Sequence, residues 1–558
     1  MAYFGTSHKR RSFLVIPVLV LLGALAGGIY GPATQVASAA NSDDDTSASL
    51  KDFTRLYSTV EQNFADPVNA DLAVYGSGDG DGAIPGMLRT LDPHSHFFDP
   101  KALKAMREDQ RGHYYGVGME VVSKFNPAGV IQTIVVDPLV GSPAYKAGLK
   151  PNDVIVNVSG KDTNGLGSGE VADLLRGPRG TPVQIQVLRG EDSVKMQFDI
   201  VRDAIARSSV SAAFMLKPGI GYVRIDKTGF IETTSADFMD ALKGLDEDNL
   251  KGLVLDLRGN PGGLLTEAVA VAGHLLPRGV EIVSHHGRAS QEQSYKATEG
   301  NHGLKYPIVV LVNRNSASAS EIVSGALQDH DRAWIMGDNT FGKGLVQTVY
   351  PLVENTGLAL TTAKYYTPSG RLIQRDYSSV SFFDYYYRTN TAARNPNDVK
   401  MTDSGRTVYG GGGISPDEKF DVPSGPCNAV VNNPACWGPL ETDLFLADTY
   451  AAYTKHFFTF HKEQLPVGWN VDADQMAAFH AWLLEKKADF KEDEYTKEYE
   501  RIRTRLQTEI YKTAFNVDNS TNYQLSMDPE VVAAEVSLPK AEALLDAANK
   551  VRAERAQK

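Results

Sequence analysis

The sequence predicts a multidomain α/β protein with helical regions at both ends, and three observations carry that expectation. At 558 residues the chain is too long for one hydrophobic core, so several domains are expected. From Ile205 to about Asp417, β-branched apolar runs alternate with stretches of helical periodicity, the rhythm of a mainly parallel sheet covered by helices. A compact β-rich stretch precedes this segment, and beyond Val422 the composition turns to Ala, Glu and Lys with apolar residues at helical spacing. These shifts divide the chain into 1–40, an export segment; 41–111, an N-terminal helical region; 112–203, the β-rich domain; 204–421, the α/β core; and 422–558, a C-terminal helical region.

At the start, Lys9-Arg10-Arg11 precedes an apolar run from Phe13 to Gly27, and Ala37-Ser38-Ala39 offers a small-residue cleavage site. That is the pattern of an export signal. Extended to Ile29, the run approaches the ~20 residues that cross a bilayer, so a cleaved signal and an anchor in the inner membrane both stay open. The expected location is the periplasm or the extracytoplasmic side. The two cysteines, Cys427 and Cys436, are expected to form a local disulfide in such an oxidising compartment. A net charge of −12 argues against a nucleic-acid partner, because phosphate binding needs a basic face.

Asn41 to Ser49 reads as an acidic linker, and Leu50, Phe53, Leu56, Tyr57 and Val60 then mark an amphipathic helix to Phe64. His94 and His96 follow in Leu91-Asp-Pro-His-Ser95-His96; carboxylate ligands at a sensible spacing are missing, so both are read as structural rather than as a metal pair. Between Gly112 and Asp203, strands are expected at 119–122, 130–136, 154–158, 183–188 and 194–200, with one helix from Ser168 to Arg176.

In the α/β segment a strand over 219–226 leads to a helix from Thr234 to Leu245. A buried strand over 252–258 then ends in the turn Arg258-Gly-Asn-Pro-Gly-Gly263, before a helix from Leu265 to Leu276. Glycine N–H groups in that turn can face a developing negative charge, although a tight turn alone would explain them. Tyr306 to Asn313 is a second buried strand, and a helix beginning near Ser318 follows it directly. Serines at that junction stand at a helix N-terminus, where free N–H groups favour negative charge. Ser318-Ala-Ser-Glu321 by itself fits a capping box. Lys343 shifts the reading: Gly342 and Gly344 frame it as a surface lysine would not need, and a buried lysine becomes neutral and basic. A serine with a lysine base is an established variant of nucleophilic catalysis.

Ser316-Ala-Ser-Ala-Ser-Glu-Ile322, followed by Gly337-Asp-Asn-Thr-Phe-Gly-Lys-Gly344 and Gln347, resembles the signature of the carboxy-terminal processing (tail-specific) serine peptidases. In that family the nucleophile precedes the lysine by twenty-five residues, which here selects Ser318 over Ser316 and Ser320. The resemblance implies a crotonase/ClpP-like αβ core, with Lys343 as base, Gln347 orienting it, and an oxyanion hole from the N–H of Ala319 with Gly262 or Gly263. Asp329 and Glu321 match positions given supporting roles. Leu91 to Ser95, Thr361 to Arg371 and Gly411 to Asp417 also resemble family segments.

Gly116-Val-Gly-Met119 and Gly141-Ser-Pro-Ala-Tyr-Lys-Ala-Gly-Leu149 are similar to a PDZ domain, which captures a peptide C-terminus by strand addition. Its groove is expected from Gly116, Val117, Gly118 and Met119 with Val171 and Leu175, and Arg176 resembles a position linked to switching the protease on. His330 lies some twelve residues, or ~18 Å, along the helix from Ser318 and so cannot pair with it; its expected role is at the helix end.

The expectation is an exported serine endopeptidase that cuts proteins bearing free C-termini, without metal or nucleotide. A homodimer and an activating or adaptor protein are compatible with it. The rival classes are an inactive PDZ adaptor and a small ester or amide hydrolase. An intact serine and lysine count against the first, and an upstream peptide-binding module against the second.

Overall fold

The computed structural model describes residues 43–76, 82–126, 128–190, 194–387, 397–420, 438–461, 465–466, 469–514 and 517–556. The export segment and the Cys427–Cys436 pair lie outside the described residues. Among those residues no helix is long and apolar enough to cross a membrane.

A first unit ends at Met87 and a second runs from Leu88. Helix Asp43–Asn63 in the first unit carries Leu50, Phe53, Leu56 and Val60 at the expected spacing, all exposed. It begins earlier than the apolar pattern, taking in part of the stretch expected as a linker.

In the second unit, residues 119–201 form a five-stranded antiparallel sheet in the order Met119–Phe125, Ile131–Pro138, Val154–Val158, Pro182–Arg189, Val194–Val201, with a short sixth strand on the third. Alternation places Val135, Ile155, Val183, Ile185 and Val187 inside, against Val171 and Leu175 of helix Ser168–Leu175. Strand Met119–Phe125 is an edge, paired on one side only. The domain is entered and left through a two-stranded ribbon, His113–Gly116 against Asp203–Ala206.

The α/β core contains a six-stranded sheet in the order Val210–Lys217, Ile220–Ile225, Gly252–Asp256, Ile308–Val312, Trp334–Gly337, Glu418–Lys419. Its first pair is antiparallel and the rest are parallel. Every residue of Gly252–Asp256 and Ile308–Val312 is buried, as parallel strands covered on both faces must be. One face packs on helices Thr234–Gly244, Leu265–Leu275 and Ala319–Asp329. A second sheet joins His96–Phe98, Gly357–Tyr366, Glu281–His286 and Gln293–Lys296, with Leu345–Pro351 hairpinned onto Gly357–Tyr366.

The C-terminal helices divide in two, where the sequence suggested one region. Pro439–Leu446, Thr449–Phe460, Ala473–Glu485 and Glu492–Ala514 enclose their own aromatic core of Tyr450, Tyr453, Phe457, Phe479 and Trp482. The remainder covers the other face of the six-stranded sheet: Leu525, Val531, Ala534, Leu538 and Ala541 pack on Tyr222, Val254, Val309 and Leu311. The sequence reads Glu441 to Phe460 and Pro529 to Ala553 as continuous helical patterns, and both are broken. Asp448 turns the chain at φ 54° between Leu446 and Thr449. Pro539, lacking an N–H, opens a new helix at Leu538 after Pro529–Val536 has ended.

Candidate active site

Strand Ile308–Val312 delivers the chain to a turn in which three serines follow in alternate positions. Ser316 Oγ donates to the carbonyl of Leu257 (2.8 Å) and accepts from Asn313 N–H (2.9 Å). Ser320 Oγ donates to the carbonyl of Asn260 (3.1 Å). Both are fully buried. Ser318 lies between them, half-buried, and its hydroxyl has no hydrogen-bond partner among the described residues. Of the three serines, Ser318 differs in leaving its hydroxyl unengaged among the described residues.

Only half of the expected capping box is present: Ser318 N–H donates to Glu321 Oε2 (2.8 Å), while the Ser318 hydroxyl caps nothing. Ser318 has φ 53°, a conformation a residue with a Cβ holds only when its surroundings impose it. What imposes it is Glu321, fully buried one turn into the helix. Its carboxylate also accepts from Thr340 Oγ1 (2.5 Å), Gly342 N–H (2.7 Å) and Lys343 N–H (2.9 Å). Burial pushes this carboxyl up and the four donors pull it back; an acceptor-only group is what four converging donors require. The Tyr365 hydroxyl forms a second bracket, lying on the carbonyl oxygens of both Ser318 (3.1 Å) and Lys343. One carboxylate and one phenol thus hold the backbones of Ser318 and Lys343 side by side.

The glycines around Lys343 are there for close approach. A Cβ on Gly342 would stand 3.1 Å from Arg375 Cβ, and one on Gly344 2.9 Å from Gln374 N. Lys343 Nζ donates to Gln347 Oε1 (3.0 Å), and Gln347 Nε2 donates to the carbonyl of His94. Burial lowers the pKa of Lys343, opposed by Glu321 and Asp92. Among the described residues no hydrogen bond joins Lys343 Nζ to Ser318 Oγ.

The turn after strand Gly252–Asp256 sits against the serine: a Cβ on Gly262 would lie 2.6 Å from Ser318 Cβ. The sequence left Gly262 and Gly263 as alternatives, and their hydrogen bonds separate them. Gly262 N–H is already given to Asn260 Oδ1 (2.8 Å), whereas Gly263 N–H and Ala319 N–H have no acceptor among the described residues. Asn260, buried, also accepts the N–H of Ala317 on its carbonyl (3.0 Å), tying the glycine turn to the serine turn. Asn260 and Tyr365 had no role in the sequence reading. Asn260 lies inside the glycine motif and Tyr365 inside the family-like stretch Thr361 to Arg371, but neither was singled out within it.

Other expected residues fall elsewhere. Asp329 closes the far end of the helix, where it pairs with buried Arg371 (2.7 Å) and accepts from Ser369 N–H, so its part is architectural. His330 is the C-cap, bonded to Asp403 (2.9 Å) and the carbonyl of Glu281 (2.7 Å), which raise its pKa against burial. His96 opens the short edge strand His96–Phe98 and is exposed, and no cluster of metal-ligating side chains occurs among the described residues. His94, expected to be only structural, is brought against Lys343: burial, and then the charge of Lys343, lower its pKa to about 3. Val117, Met119, Val171 and Leu175 lie together in the core of the β-rich domain, between the edge strand and the helix. Gly118, at φ 77°, meets Ser142, whose hydroxyl donates to its carbonyl (2.7 Å). Arg176 is exposed at the end of helix Ser168–Leu175, its guanidinium over the ring of Tyr114 (5.3 Å).

Comparison with known proteins gives the family. Residues 219–378 match the model of peptidase family S41, and residues 134–189 that of the PDZ domain. A carboxy-terminal-processing protease of Bartonella bacilliformis is 45% identical over 297 residues, covering 52% of this chain and 66% of that protein. A carboxyl-terminal-processing protease of Synechocystis sp. is 39% identical over 290 residues, covering 51% and 66%. The chain thus spans just under two thirds of the length of each. The carboxy-terminal processing protease CtpA of Bacillus subtilis is 32% identical over 364 residues, covering 65% of this chain and 74% of its own. Among solved structures, a photosystem II D1 C-terminal processing protease aligns at 31% identity over 63% of this chain and 85% of that one, with a TM-score of 0.31. On the sequence matches, the chain belongs to the carboxy-terminal processing proteases of peptidase family S41.

Proposed function

We propose that this chain is an exported serine endopeptidase that cuts proteins near a free C-terminal tail, with Ser318 as nucleophile and Lys343 as base. The observation that carries this is the unengaged hydroxyl of Ser318, set beside two free backbone N–H groups and pinned through Glu321 to the lysine turn. The lysine side chain turns from Gln347 toward Ser318, and its neutral amine takes the hydroxyl proton as Oγ attacks the peptide carbonyl. Gly263 and Ala319 N–H groups receive the oxyanion; one such donor is worth about 10²–10³ in rate. The lysine then returns its proton to the leaving amine, and water hydrolyses the acyl-enzyme. No step calls on a metal or nucleotide.

Tail capture belongs to the PDZ domain, since strand Met119–Phe125 offers a free edge for an added strand and the loop at Gly116–Gly118 offers N–H groups for a carboxylate. The cell-envelope location rests on Lys9-Arg10-Arg11 and the apolar run after it.

The test incubates the soluble protein with peptides carrying free or amidated C-termini, alongside Ser318→Ala and Lys343→Ala. Wild type should cut, amidation should slow it, and both variants should lose at least about 10³-fold in kcat. Cleavage surviving Ser318→Ala would reject the nucleophile.

A further inference from the structure

We propose that His94, Tyr385 and Gln374 are positioning residues for Lys343, because they complete a ring of hydrogen bonds that leaves the lysine amine and returns to the backbone beside it. The inference rests on Lys343 being the base. From the amine the ring runs to Gln347 Oε1 (3.0 Å), and from Gln347 Nε2 to the carbonyl of His94. The imidazole Nε2 of His94 meets the Tyr385 hydroxyl at 2.9 Å. Gln374 Nε2 donates to that same hydroxyl (3.2 Å), and Gln374 Oε1 accepts from Gly344 N–H (2.8 Å), the residue after the lysine.

The donors and acceptors fix the directions. The Tyr385 oxygen accepts from Gln374 N–H, and the ring assigns its own proton to His94 Nε2, with the Nδ1 proton of the neutral imidazole facing the Tyr386 hydroxyl (3.5 Å). The His94 carbonyl can only accept, so it holds the Gln347 amide with nitrogen toward itself and oxygen toward the lysine. A flipped amide would present N–H to the amine and release it. The ring is therefore what decides which end of Gln347 the base sees.

It is also enclosed. His94 meets the rings of Tyr385 (5.6 Å), Tyr386 (6.2 Å) and Phe341 (6.4 Å) at their edges. The Arg375 guanidinium stands over the rings of both Phe341 (3.8 Å) and Tyr385 (4.2 Å), and the Tyr386 hydroxyl donates to the carbonyl of Pro93 (3.0 Å). Water is kept from the amine by this wall, which belongs to helix Phe382–Tyr387 and the Asp92-Pro-His-Ser95 turn. His94 is a poor alternative base, because its Nε2 is occupied and burial beside Lys343 disfavours the protonated ring.

The experiment is steady-state cleavage of a free-tail peptide across pH by wild type, Tyr385→Phe, Gln374→Leu and the double variant, with thermal unfolding as a control for folding. Each single change should lower kcat about tenfold with KM within twofold, and move the acid limb of kcat to higher pH as water reaches the lysine. The double variant should match the singles, because a broken ring cannot be broken again. Wild-type kcat and pH profile in a folded Tyr385→Phe, or losses that multiply in the double, would overturn the ring. If one single variant fails to fold, the other decides by the same shift. Failure of the underlying reading looks different, since Lys343→Ala would then cut like wild type.

Discussion

At the scale of single residues, the site is organised by groups that do no chemistry. Glu321 spends its charge on four donors, and in doing so bends Ser318 into a left-handed conformation that offers the hydroxyl outward. His94 carries a cost that can be measured. Its folded pKa of about 3 lies below its ordinary 6.5, so the stability it contributes is complete above pH ~6.5 and is lost as pH falls toward 3. The slope is at most one proton, about 1.4 kcal/mol per pH unit. Urea unfolding of wild type and His94→Asn between pH 7 and 4 should show a steeper acid loss in wild type; parallel curves would show that His94 is not the group responsible. Here the sequence was informative about proximity within one motif and blind to proximity between motifs. Ser318 and Lys343 stand within one strand–helix–turn unit, so their spacing carried meaning. His94 reaches Gln347 across 253 positions, and Tyr385 reaches His94 across 291, separations that no local pattern encodes. The choice between Gly262 and Gly263 also had to wait, because it turns on where one asparagine side chain points.

At the scale of elements, helix Ala319–Asp329 and hairpin Leu345–Tyr366 form the working pair. The helix is buried along its whole length, which the amphipathic pattern of its sequence understated; small residues such as Gly325 let Ile414 and Thr367 pack on the side that would otherwise face water. Strand Gly357–Tyr366 contributes Tyr365, the phenol joining the two turns. Tyr365→Phe keeps the ring in place and deletes the bracket. We expect stability to fall by about 1 kcal/mol and kcat by about tenfold or more with little change in KM. A purely architectural tyrosine would change the first and spare the second. Strand and helix positions in this core were readable because buried parallel strands are continuous apolar runs. The helix breaks at Asp448 and Pro539 were harder, since periodicity continued across both.

At the scale of the whole molecule, the sheet that presents the serine is completed by residues far along the chain. Helix Pro529–Val536 and the helix after it cover the face opposite helix Ala319–Asp329, with Val531 and Ala534 fully buried. Arg258, which opens the glycine turn, is held by Asp256 (2.7 Å), Asp528 (3.1 Å) and Glu530 (2.7 Å), so that turn is moored to the C-terminal segment. Arg258→Met would leave three acids gathered without their cation. A loss of about 3 kcal/mol or more is expected in denaturant unfolding, and a loss under 1 kcal/mol would show the cluster relaxes. The sequence marked this segment as helical, but not that it forms a layer of the core, because an Ala- and Glu-rich helix reads the same whether it covers a sheet or stands apart.

That mooring has a bearing on how the protein comes into being. A polypeptide still being synthesised, with the serine and lysine already made, lacks the layer behind its sheet and the acids that steady Arg258 until residues near 541 have emerged. The sheet that carries Ser318 in a nascent copy is therefore still missing one of its two covering layers.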